Sequence, residues 1–162
     1  MNNKQLEHPF KQIVFNDSQI LILGSFPSID SFKESFYYAH KRNQFWRILS
    51  DITKYPINNR DQKFWLLKRS KIALWDMVKS CSRDNSLDSS LEDIEVNNIA
   101  EFLENNPTIN KIAFTGRLAE KLYKINFDYL DIKSIYLPSP SSAYAKMSLQ
   151  NKIEIYKERL GI

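Results

Sequence analysis

Several residue types are scarce in this chain of 162 residues, and each scarcity excludes a class of protein. The single cysteine, Cys81, excludes an internal disulfide framework, a four-thiolate iron–sulfur cluster and a thiolate-rich zinc site. Only two histidines are present, which excludes a metal site built from three of them. No apolar run approaches the ~20 residues of a bilayer span, and residues 1–12 lack the apolar region of a secretion signal. We therefore expect a soluble, cytoplasmic protein with no cofactor, no metal and no membrane partner.

Aromatic residues, in contrast, are plentiful at 13% of the chain, within a hydrophobic fraction of 43%. This composition excludes intrinsic disorder and supplies a dense core. The length fits one domain, residues 1–162, and no internal repeat or shift in composition marks a second. The net charge of +4 is compatible with a polyanionic partner but does not demonstrate one. We expect the protein to be a monomer.

Two of the three glycines mark the ends of predicted strands, and the third, Gly161, is at the tail of the chain. Gly24 and Gly116 each close a short apolar run, a pattern typical of buried parallel strands that turn at their carboxyl ends. Two similar runs lack the glycine. The predicted strands are 19–24, 71–75, 111–116 and 134–138.

Helical spacing of apolar residues fills the intervals between these strands. Strands that alternate with helices predict a three-layer α/β/α sandwich with a short central parallel sheet of about four strands. Ligands of such sheets bind at the carboxyl ends of the strands. The polar stretch 80–93 is predicted to be one long surface loop. The predicted helices are 45–52, 60–69, 96–105, 117–123 and 147–160.

Three segments should line the crevice at those strand ends: Gly24–Ser28, the loop after Trp75, and Leu137–Ala143. The last contains Pro-Ser-Pro-Ser-Ser, which can present hydroxyls and backbone N–H groups to a phosphate, although such runs are also ordinary turns. A further segment, 36–46, combines aromatic, basic and amide residues that suit nucleic acid. The alternative is that its tyrosines belong to the core and that Lys41 and Arg42 are solvated.

Taken in order, these segments resemble a known family. The resemblance covers roughly residues 20 to 160 and is to the hypoxanthine-DNA glycosylases, or DNA-deoxyinosine glycosylases, a branch of the uracil-DNA glycosylase superfamily. It implies an α/β/α sandwich and a monofunctional glycosylase of base-excision repair. Such an enzyme hydrolyses the N-glycosidic bond of a flipped deaminated base in DNA, here hypoxanthine, and leaves an abasic site. The matching pieces are Gly24–Pro27, Tyr37–His40, Arg42–Trp46, Ala73–Asp76, Ser80-Cys81, Ser86–Ser89, Phe114–Gly116 and Leu137–Ser139.

Some positions depart from the family pattern. The family usually has glycine at Ser28, proline at Lys41 and asparagine at Thr115, and its second motif commonly reads Ser-Thr-Ser-Pro-Ala where this chain has Ser139–Ala143. The Cβ of Ser28 should reduce how closely the backbone approaches DNA, and Thr115 removes an amide that could touch the base. These changes bear on substrate preference more than on the fold.

Asn43 is the predicted catalytic residue. In the wider superfamily, a polar residue two positions after the first-motif glycine acts on water, but Phe26 occupies that position here. The resemblance transfers the polar role to Asn43, which would orient a water at C1′ or hold the extruded base through its amide. The alternative is that Asn43 caps the helix that starts near Phe45. Both roles are compatible, and we favour the catalytic one.

The resemblance also implies a base-binding set and a DNA-contacting set. The backbone N–H groups of Ser25–Ser28 would offset charge on the leaving base, while Phe26 or Tyr37 would stack on it or simply pack in the core. The predicted base-binding residues are Gly24, Ser25, Phe26, Pro27, Ser28, Tyr37, Tyr38 and His40. The predicted phosphate-contacting or intercalating residues are Arg42, Thr115, Gly116, Arg117, Ser139, Pro140, Ser141, Ser142 and Tyr144.

A few side chains have more than one interpretation. Either Tyr144 or Lys146 would fill the gap left by the flipped base. His40 would bind phosphate or shuttle a proton, or it is a hydrogen-bonded structural residue. Asp76 and Asp88 are expected to bind loop backbone, and they stand outside the catalytic set.

Three other functions compete with this assignment. The first is a glycosylase for uracil or thymine in mismatches, and the second is a nucleic-acid-binding module without activity. A third is a nucleotide-binding α/β domain that uses Gly24–Pro27 as a phosphate loop. We discount the third because the segment lacks both the Gly-x-Gly-x-x-Gly pattern and the Gly-Lys-Ser/Thr ending.

Overall fold

Six α-helices and two sheets make up the computed structural model, which describes residues 5–162. The strands are β1 (Leu6–Glu7), β2 (Ile20–Gly24), β3 (Ile72–Asp76), β4 (Val78–Ser82), β5 (Glu92–Val96), β6 (Lys111–Thr115) and β7 (Lys133–Leu137). The helices are α1 (Ile29–Glu34), α2 (Phe45–Thr53), α3 (Arg60–Ser70), α4 (Ile99–Asn105), α5 (Arg117–Phe127) and α6 (Leu149–Leu160).

The central sheet has four parallel strands in the order β3-β2-β6-β7. All four predicted strands are confirmed to within a residue or two. Because β2 lies between β3 and β6, its residues Ile20–Gly24 are buried on both faces, which is why the strand reads as an unbroken apolar run. The four carboxyl ends meet at one edge of the sheet.

Helices cover both faces of this sheet and form two separate cores. Alternate residues of β2 enter different cores: Ile20 and Ile22 pack with α2, α3 and α6, whereas Leu21 and Leu23 pack with α4 and α5. This alternation follows from the two-residue period of a strand. The predicted three-layer α/β/α sandwich is therefore confirmed.

Residues 80–93 are not the single surface loop that the sequence predicts. Val78–Ser82 form β4 and Glu92–Val96 form β5, and β4 pairs antiparallel with β1 on one side and with β5 on the other in a second, three-stranded sheet. Ser80 and Ser82 are buried, and their hydroxyls donate to β5. Their polarity therefore did not indicate exposure, and the loop prediction was wrong for these residues. Only the turn between the strands, which holds one short 3₁₀ helix at Asp88–Ser90, is irregular.

Side-chain caps decide where several helices begin. The predicted helix 96–105 starts later, because Val96 ends β5 and Asn98 accepts from the Glu101 N–H. In the same way Ser148 accepts from the Asn151 N–H, so α6 begins at Leu149. Helix α5 continues to Phe127, one turn past its predicted end, because Phe127 reaches the core.

Candidate active site

A cavity of about 420 Å³ opens at the carboxyl ends of β2, β3, β6 and β7. Its position agrees with the general location of ligands on open parallel sheets, and the three predicted segments all reach it. The lining includes fourteen of the predicted site residues: Gly24, Ser25, Phe26, Pro27, Ser28, Tyr37, Tyr38, His40, Asn43, Thr115, Ser139, Pro140, Ser141 and Ser142.

The floor of the cavity is packed too tightly for a side chain on Gly24. A Cβ there would lie 2.6 Å from Asp76 Oδ1 and 3.1 Å from the Tyr38 hydroxyl. The Tyr38 hydroxyl is in turn 2.9 Å from Thr115 Oγ1, and its ring stacks on Phe45 at 3.8 Å between centroids. The glycine is therefore required by the close approach of neighbouring strand ends.

Tyr38 occupies the left-handed region of the backbone map, with φ of +52°. A non-glycine residue adopts this conformation at a cost, so the surroundings must hold it there. Burial raises the pKa of the Tyr38 phenol, and the Asp76 carboxylate adds to the increase, so the hydroxyl stays protonated. The floor of the cavity consequently presents a fixed, neutral hydroxyl.

Beneath the floor, Asp76 forms a buried ion pair with His8. The side chains of both residues are only 6% exposed, and His8 Nε2 lies 2.8 Å from Asp76 Oδ2. His8 Nδ1 lies 2.7 Å from the Phe10 carbonyl oxygen. A carboxylate only accepts hydrogen bonds, so His8 Nε2 donates to Asp76, while Nδ1 contacts both the carbonyl oxygen and, at 3.5 Å, the N–H of Phe10. The expectation that Asp76 binds loop backbone through its side chain is thus wrong.

No role for His8 is predicted from the sequence. It lies 68 residues from Asp76 along the chain, and no local motif connects the two. The feature of the sequence that could have indicated His8 is the scarcity of histidine. A chain with two histidines and a carboxylate at a strand end offers few possible histidine–carboxylate pairs.

Asn43 borders the cavity and also caps a helix. Its Oδ1 accepts the Phe45 N–H at 2.9 Å, which confirms the capping interpretation. The residue is half-buried and lines the opening, and its Nδ2 donates to no other residue within 5–162. The acceptor end of the amide is therefore engaged by the protein, and the donor end is left for a ligand.

One side of the cavity, here called the second wall, consists of Asn43 and Ser139–Ala143. The Gln44 N–H donates to the Pro140 carbonyl at 2.8 Å, which joins the two parts. Lys152 of α6, which is 1% exposed, donates to Gln44 Oε1 at 2.8 Å and to the Ser141 carbonyl at 3.3 Å. Burial lowers the pKa of this amine, whose partners are both neutral.

The serine hydroxyls of the second wall brace their own turn. Ser139 Oγ accepts the Ser141 N–H and Ser141 Oγ accepts the Ala143 N–H, each at 3.2 Å. A hydroxyl that accepts a backbone bond keeps its own proton to donate. These oxygens are therefore positioned as donors toward an anion at the mouth of the cavity.

Another part of the cavity lining, here called the first wall, consists of Gly24–Ser28 and Asn85–Asp88. Ser25 Oγ donates to Asp88 Oδ1 at 2.5 Å, and the Ile29 N–H donates to Ser86 Oγ at 3.0 Å. Asp88 therefore binds a side chain and not loop backbone, which corrects the prediction for that residue. Burial raises the pKa of the Asp88 carboxyl, the Ser25 bond opposes this, and the Asp76 charge raises it further.

Arg83 fastens the first wall from behind. Its guanidinium lies 5.1 Å from the centroid of the Phe26 ring and 4.9 Å from that of Phe32, and it donates to the Pro27 carbonyl. Phe26 is half-buried and lines the cavity, which keeps it available for stacking. Tyr37 is only 3% exposed, and its hydroxyl donates to the Lys11 carbonyl, so it packs in the core.

His40 is held at the rim by hydrogen bonding. Its Nδ1 accepts the Arg42 N–H at 3.1 Å, and its Nε2 lies 3.4 Å from Asp30 Oδ2. This arrangement agrees with the structural interpretation. Because both His40 and Asp30 are more than 40% exposed, the pair contributes little to stability.

Four predicted DNA-contacting residues lie outside the cavity lining: Arg42, Gly116, Arg117 and Tyr144. Arg42 is exposed, as is Lys41 beside it. The Arg117 guanidinium covers the Tyr136 ring at 3.6 Å and pairs with Glu120 at 3.0 Å. Gly116 has φ of +101°, a conformation that only glycine adopts readily, and it starts α5 there. Their contacts with DNA stay predictions.

The residues that line the cavity without being in the predicted set are Ser31, Asp76, Asn85, Ser86, Leu87, Asp88 and Ala143. Most come from the turn between β4 and β5 that the sequence assigned to a plain loop. Among residues 5–162, no group of three or more His, Cys, Asp or Glu side chains could hold a metal ion. Over the same range, no helix has both the length and the apolar character to cross a membrane.

Comparison with known proteins agrees with this geometry. A model of the uracil DNA glycosylase superfamily matches residues 10–160, and the chain belongs to that superfamily. A hypoxanthine DNA glycosylase of Methanosarcina acetivorans is 31% identical over 151 residues, which are 92% of this chain and 95% of the relative. A hypoxanthine DNA glycosylase of Methanosarcina barkeri is 33% identical over 110 residues, 67% of this chain and 70% of the relative.

The fold has a solved counterpart as well. A solution NMR structure described as a uracil DNA glycosylase of Methanosarcina acetivorans matches with a TM-score of 0.81 and 30% identity. The match covers 96% of this chain and 99% of that one. The fold expected from the family resemblance is therefore confirmed.

Proposed function

We propose that this protein is a monofunctional DNA glycosylase that removes hypoxanthine from DNA and leaves an abasic site. Two relatives named as hypoxanthine DNA glycosylases support this substrate. The observation that carries the proposal is the position of Asn43, whose amide borders the cavity at the sheet edge with its acceptor end fixed by Phe45. We infer that the protein acts on chromosomal DNA as a cytoplasmic monomer.

The chemistry requires positioning and charge stabilisation. The C1′–N9 bond breaks through an oxocarbenium-like sugar while the purine departs with the electron pair. The flipped base enters the cavity, at a cost of a few kcal/mol for unstacking that is smaller at a damaged pair. Nδ2 of Asn43 then donates to the base or to the water that adds at C1′. Hypoxanthine differs from adenine by its C6 carbonyl and its N1–H, groups that amide and backbone atoms distinguish.

The second wall would hold the DNA strand beside the flipped nucleotide. Ser139 and Ser141 each keep a hydroxyl proton that they can donate to a phosphate, and Lys152 braces their turn through the Ser141 carbonyl. The Lys152 side chain also brings a basic group to the same turn, which favours a phosphate there.

The test is single-turnover release of free base from duplexes that each hold one inosine, uracil, xanthine or G·T pair. Asn43→Ser keeps an oxygen that can accept the Phe45 N–H but removes the amide N–H groups, and its shorter side chain does not reach the position of Nδ2, so we expect the inosine rate to fall about 10²–10³-fold. Asn58→Ala, an exposed asparagine before α3, is the matched control.

Three other results would each contradict one part of this proposal. Equal rates for Asn43→Ser and wild type would make Asn43 purely structural. Release of uracil with inosine left intact would show that uracil, and not hypoxanthine, is the substrate. Salt-sensitive binding with no base released from any duplex would identify a binding module without activity.

A further inference from the structure

Asp88 is the acidic side chain that the reaction mechanism above leaves unused. It begins the short 3₁₀ helix of the first wall, where its backbone carbonyl accepts the Leu91 N–H and Ser90 hydroxyl bonds close the turn. Its carboxyl borders the cavity, with Oδ1 held by Ser25 at 2.5 Å. Its Oδ2 accepts from no other residue within 5–162. One oxygen is therefore fixed and the other is open to a ligand.

Two carboxylates reach the cavity, and they differ in how their oxygens are engaged. Both oxygens of Asp76 are occupied, because Oδ2 lies 2.8 Å from His8 Nε2 and Oδ1 lies against Gly24. Asp88 has a neutral hydroxyl as its partner and no ion pair within residues 5–162. A negative charge kept in a cleft without a counter-ion is a feature of functional sites more than of structural ones.

Asp88 also supplies a polar group close to the position where the wider superfamily has one and this chain has Phe26. Ser25, which directly precedes Phe26, draws the Asp88 carboxyl to the first-motif turn from a segment 63 residues further along the chain. Asn43 borders the same cavity from the second wall. The same cavity is therefore lined by a carboxylate and by an amide donor.

We propose that Asp88 is a second catalytic residue, whose free Oδ2 stabilises the oxocarbenium sugar and takes the proton of the attacking water. The inference rests on the proposed glycosylase function. The C1′–N9 bond breaks and its electron pair leaves with the purine, the water oxygen bonds to C1′, and one water proton passes to Asp88. That proton then moves to the purine anion or to solvent, so the sum is addition of water across the bond.

A carboxylate in this role requires that activity fall as the medium becomes acidic. The groups that face Asp88 are the Asp76 carboxylate on β3 with its His8 partner, and the neutral phenol of Tyr38. His40 and Asp30 lie at the rim, and Arg83 belongs to the same chain segment. Asp88 as a whole is exposed, but partial desolvation of its carboxyl at the cavity raises its pKa, so the acidic limb should lie above the range of an ordinary aspartate.

The experiment measures single-turnover cleavage of an inosine duplex against pH, with binding to a duplex that carries uncleavable 2′-fluoro-deoxyinosine. Asp88→Asn keeps an oxygen for Ser25 and removes the charge. We expect a rate at least 10²-fold lower, an absent acidic limb, and binding as tight as wild type or tighter, since a negative charge near phosphates is lost. Asp84→Asn, an exposed carboxylate of the same turn, is the control.

Ser25→Ala supplies an independent readout. The Ser25 bond lowers the pKa of Asp88, so its loss should move the acidic limb to higher pH while the rate at alkaline pH falls less than in Asp88→Asn. An Asp88→Asn rate within threefold of wild type, or an unchanged acidic limb, overturns the role of Asp88 alone. Wild-type protein that releases no base from any duplex overturns the glycosylase function and this inference together.

Discussion

The two walls of the cavity are held by different kinds of contact. The second wall is anchored from inside the protein, by the buried Lys152 amine and by a backbone bond between Gln44 and Pro140. The first wall is anchored near the surface, by the Ser25–Asp88 bond and by Arg83. Interior bonds are shielded from water and resist opening, whereas surface bonds exchange with solvent. We therefore expect the second wall to stay rigid when a ligand binds and the first wall to move.

Loss of the Lys152 amine should have the largest effect, because it removes the interior anchor of the second wall. Lys152→Met leaves Gln44 Oε1 and the Ser141 carbonyl without their donor, so we expect a loss of about 2–4 kcal/mol in the free energy of unfolding by urea. Lys157→Met, on the exposed face of the same helix, should stay within about 0.5 kcal/mol of wild type. Equal stability of the two variants would show that the amine is not the anchor.

The fully buried Tyr156 supports the second wall at its other end and makes its stability depend on pH. Its hydroxyl donates to the Pro138 carbonyl at 2.6 Å, so Tyr156→Phe should cost about 1–2 kcal/mol at pH 7. Burial raises the pKa of Tyr156 far above the value of 10.0 that applies to the unfolded chain.

Above pH 10, the unfolded chain therefore releases a proton from Tyr156 that the folded protein keeps. Wild type should lose up to about 1.4 kcal/mol per pH unit from this residue, and the phenylalanine variant should not. The difference in the free energy of unfolding between wild type and Tyr156→Phe, measured by urea unfolding from pH 7 to 11, should become smaller as the pH rises. A gap that stays constant would contradict the buried, protonated state.

Arg83→Met tests the surface anchor of the first wall. The variant loses the guanidinium contacts with Phe26 and Phe32 and the bond to the Pro27 carbonyl, for about 1 kcal/mol of stability. We expect faster hydrogen exchange at the Leu87 and Leu91 amides with little change at β2. The exposed Arg47→Met serves as control. Unchanged exchange in this turn would mean that Ser25 and Asp88 hold the wall unaided.

The smallest effect is expected from Ser28→Gly, which restores the residue that the family usually has. Ser28 Oγ accepts the Ser31 N–H and so caps α1. Glycine in place of a serine cap costs only a few tenths of a kcal/mol. Affinity for an inosine duplex should rise slightly if the Cβ obstructs DNA, and a lower affinity would show that the cap matters more than the clearance.

Much of the site was predictable because it lies on segments that are continuous in sequence. Asn43 lies within segment 36–46. It accepts the Phe45 N–H at the start of α2 and also lines the cavity, so it matches both interpretations that the sequence allowed. Residues 80–82 and 92–93 were wrongly predicted as loop, because short-range polarity looks the same in a solvated loop and in a strand whose serine hydroxyls bond to its neighbour. His8 was missed since its pairing with Asp76 spans 68 residues.

The sequence by itself determined the parallel sheet, its helical layers and the edge where a ligand binds, because apolar period and glycine placement act locally along the chain. Only the tertiary structure decided which charges meet at that edge. It pairs Asp76 with His8 and leaves Asp88 at the cavity with the Ser25 hydroxyl as its partner. The partner of a charged side chain is set by folding in three dimensions, and no spacing along one chain records it.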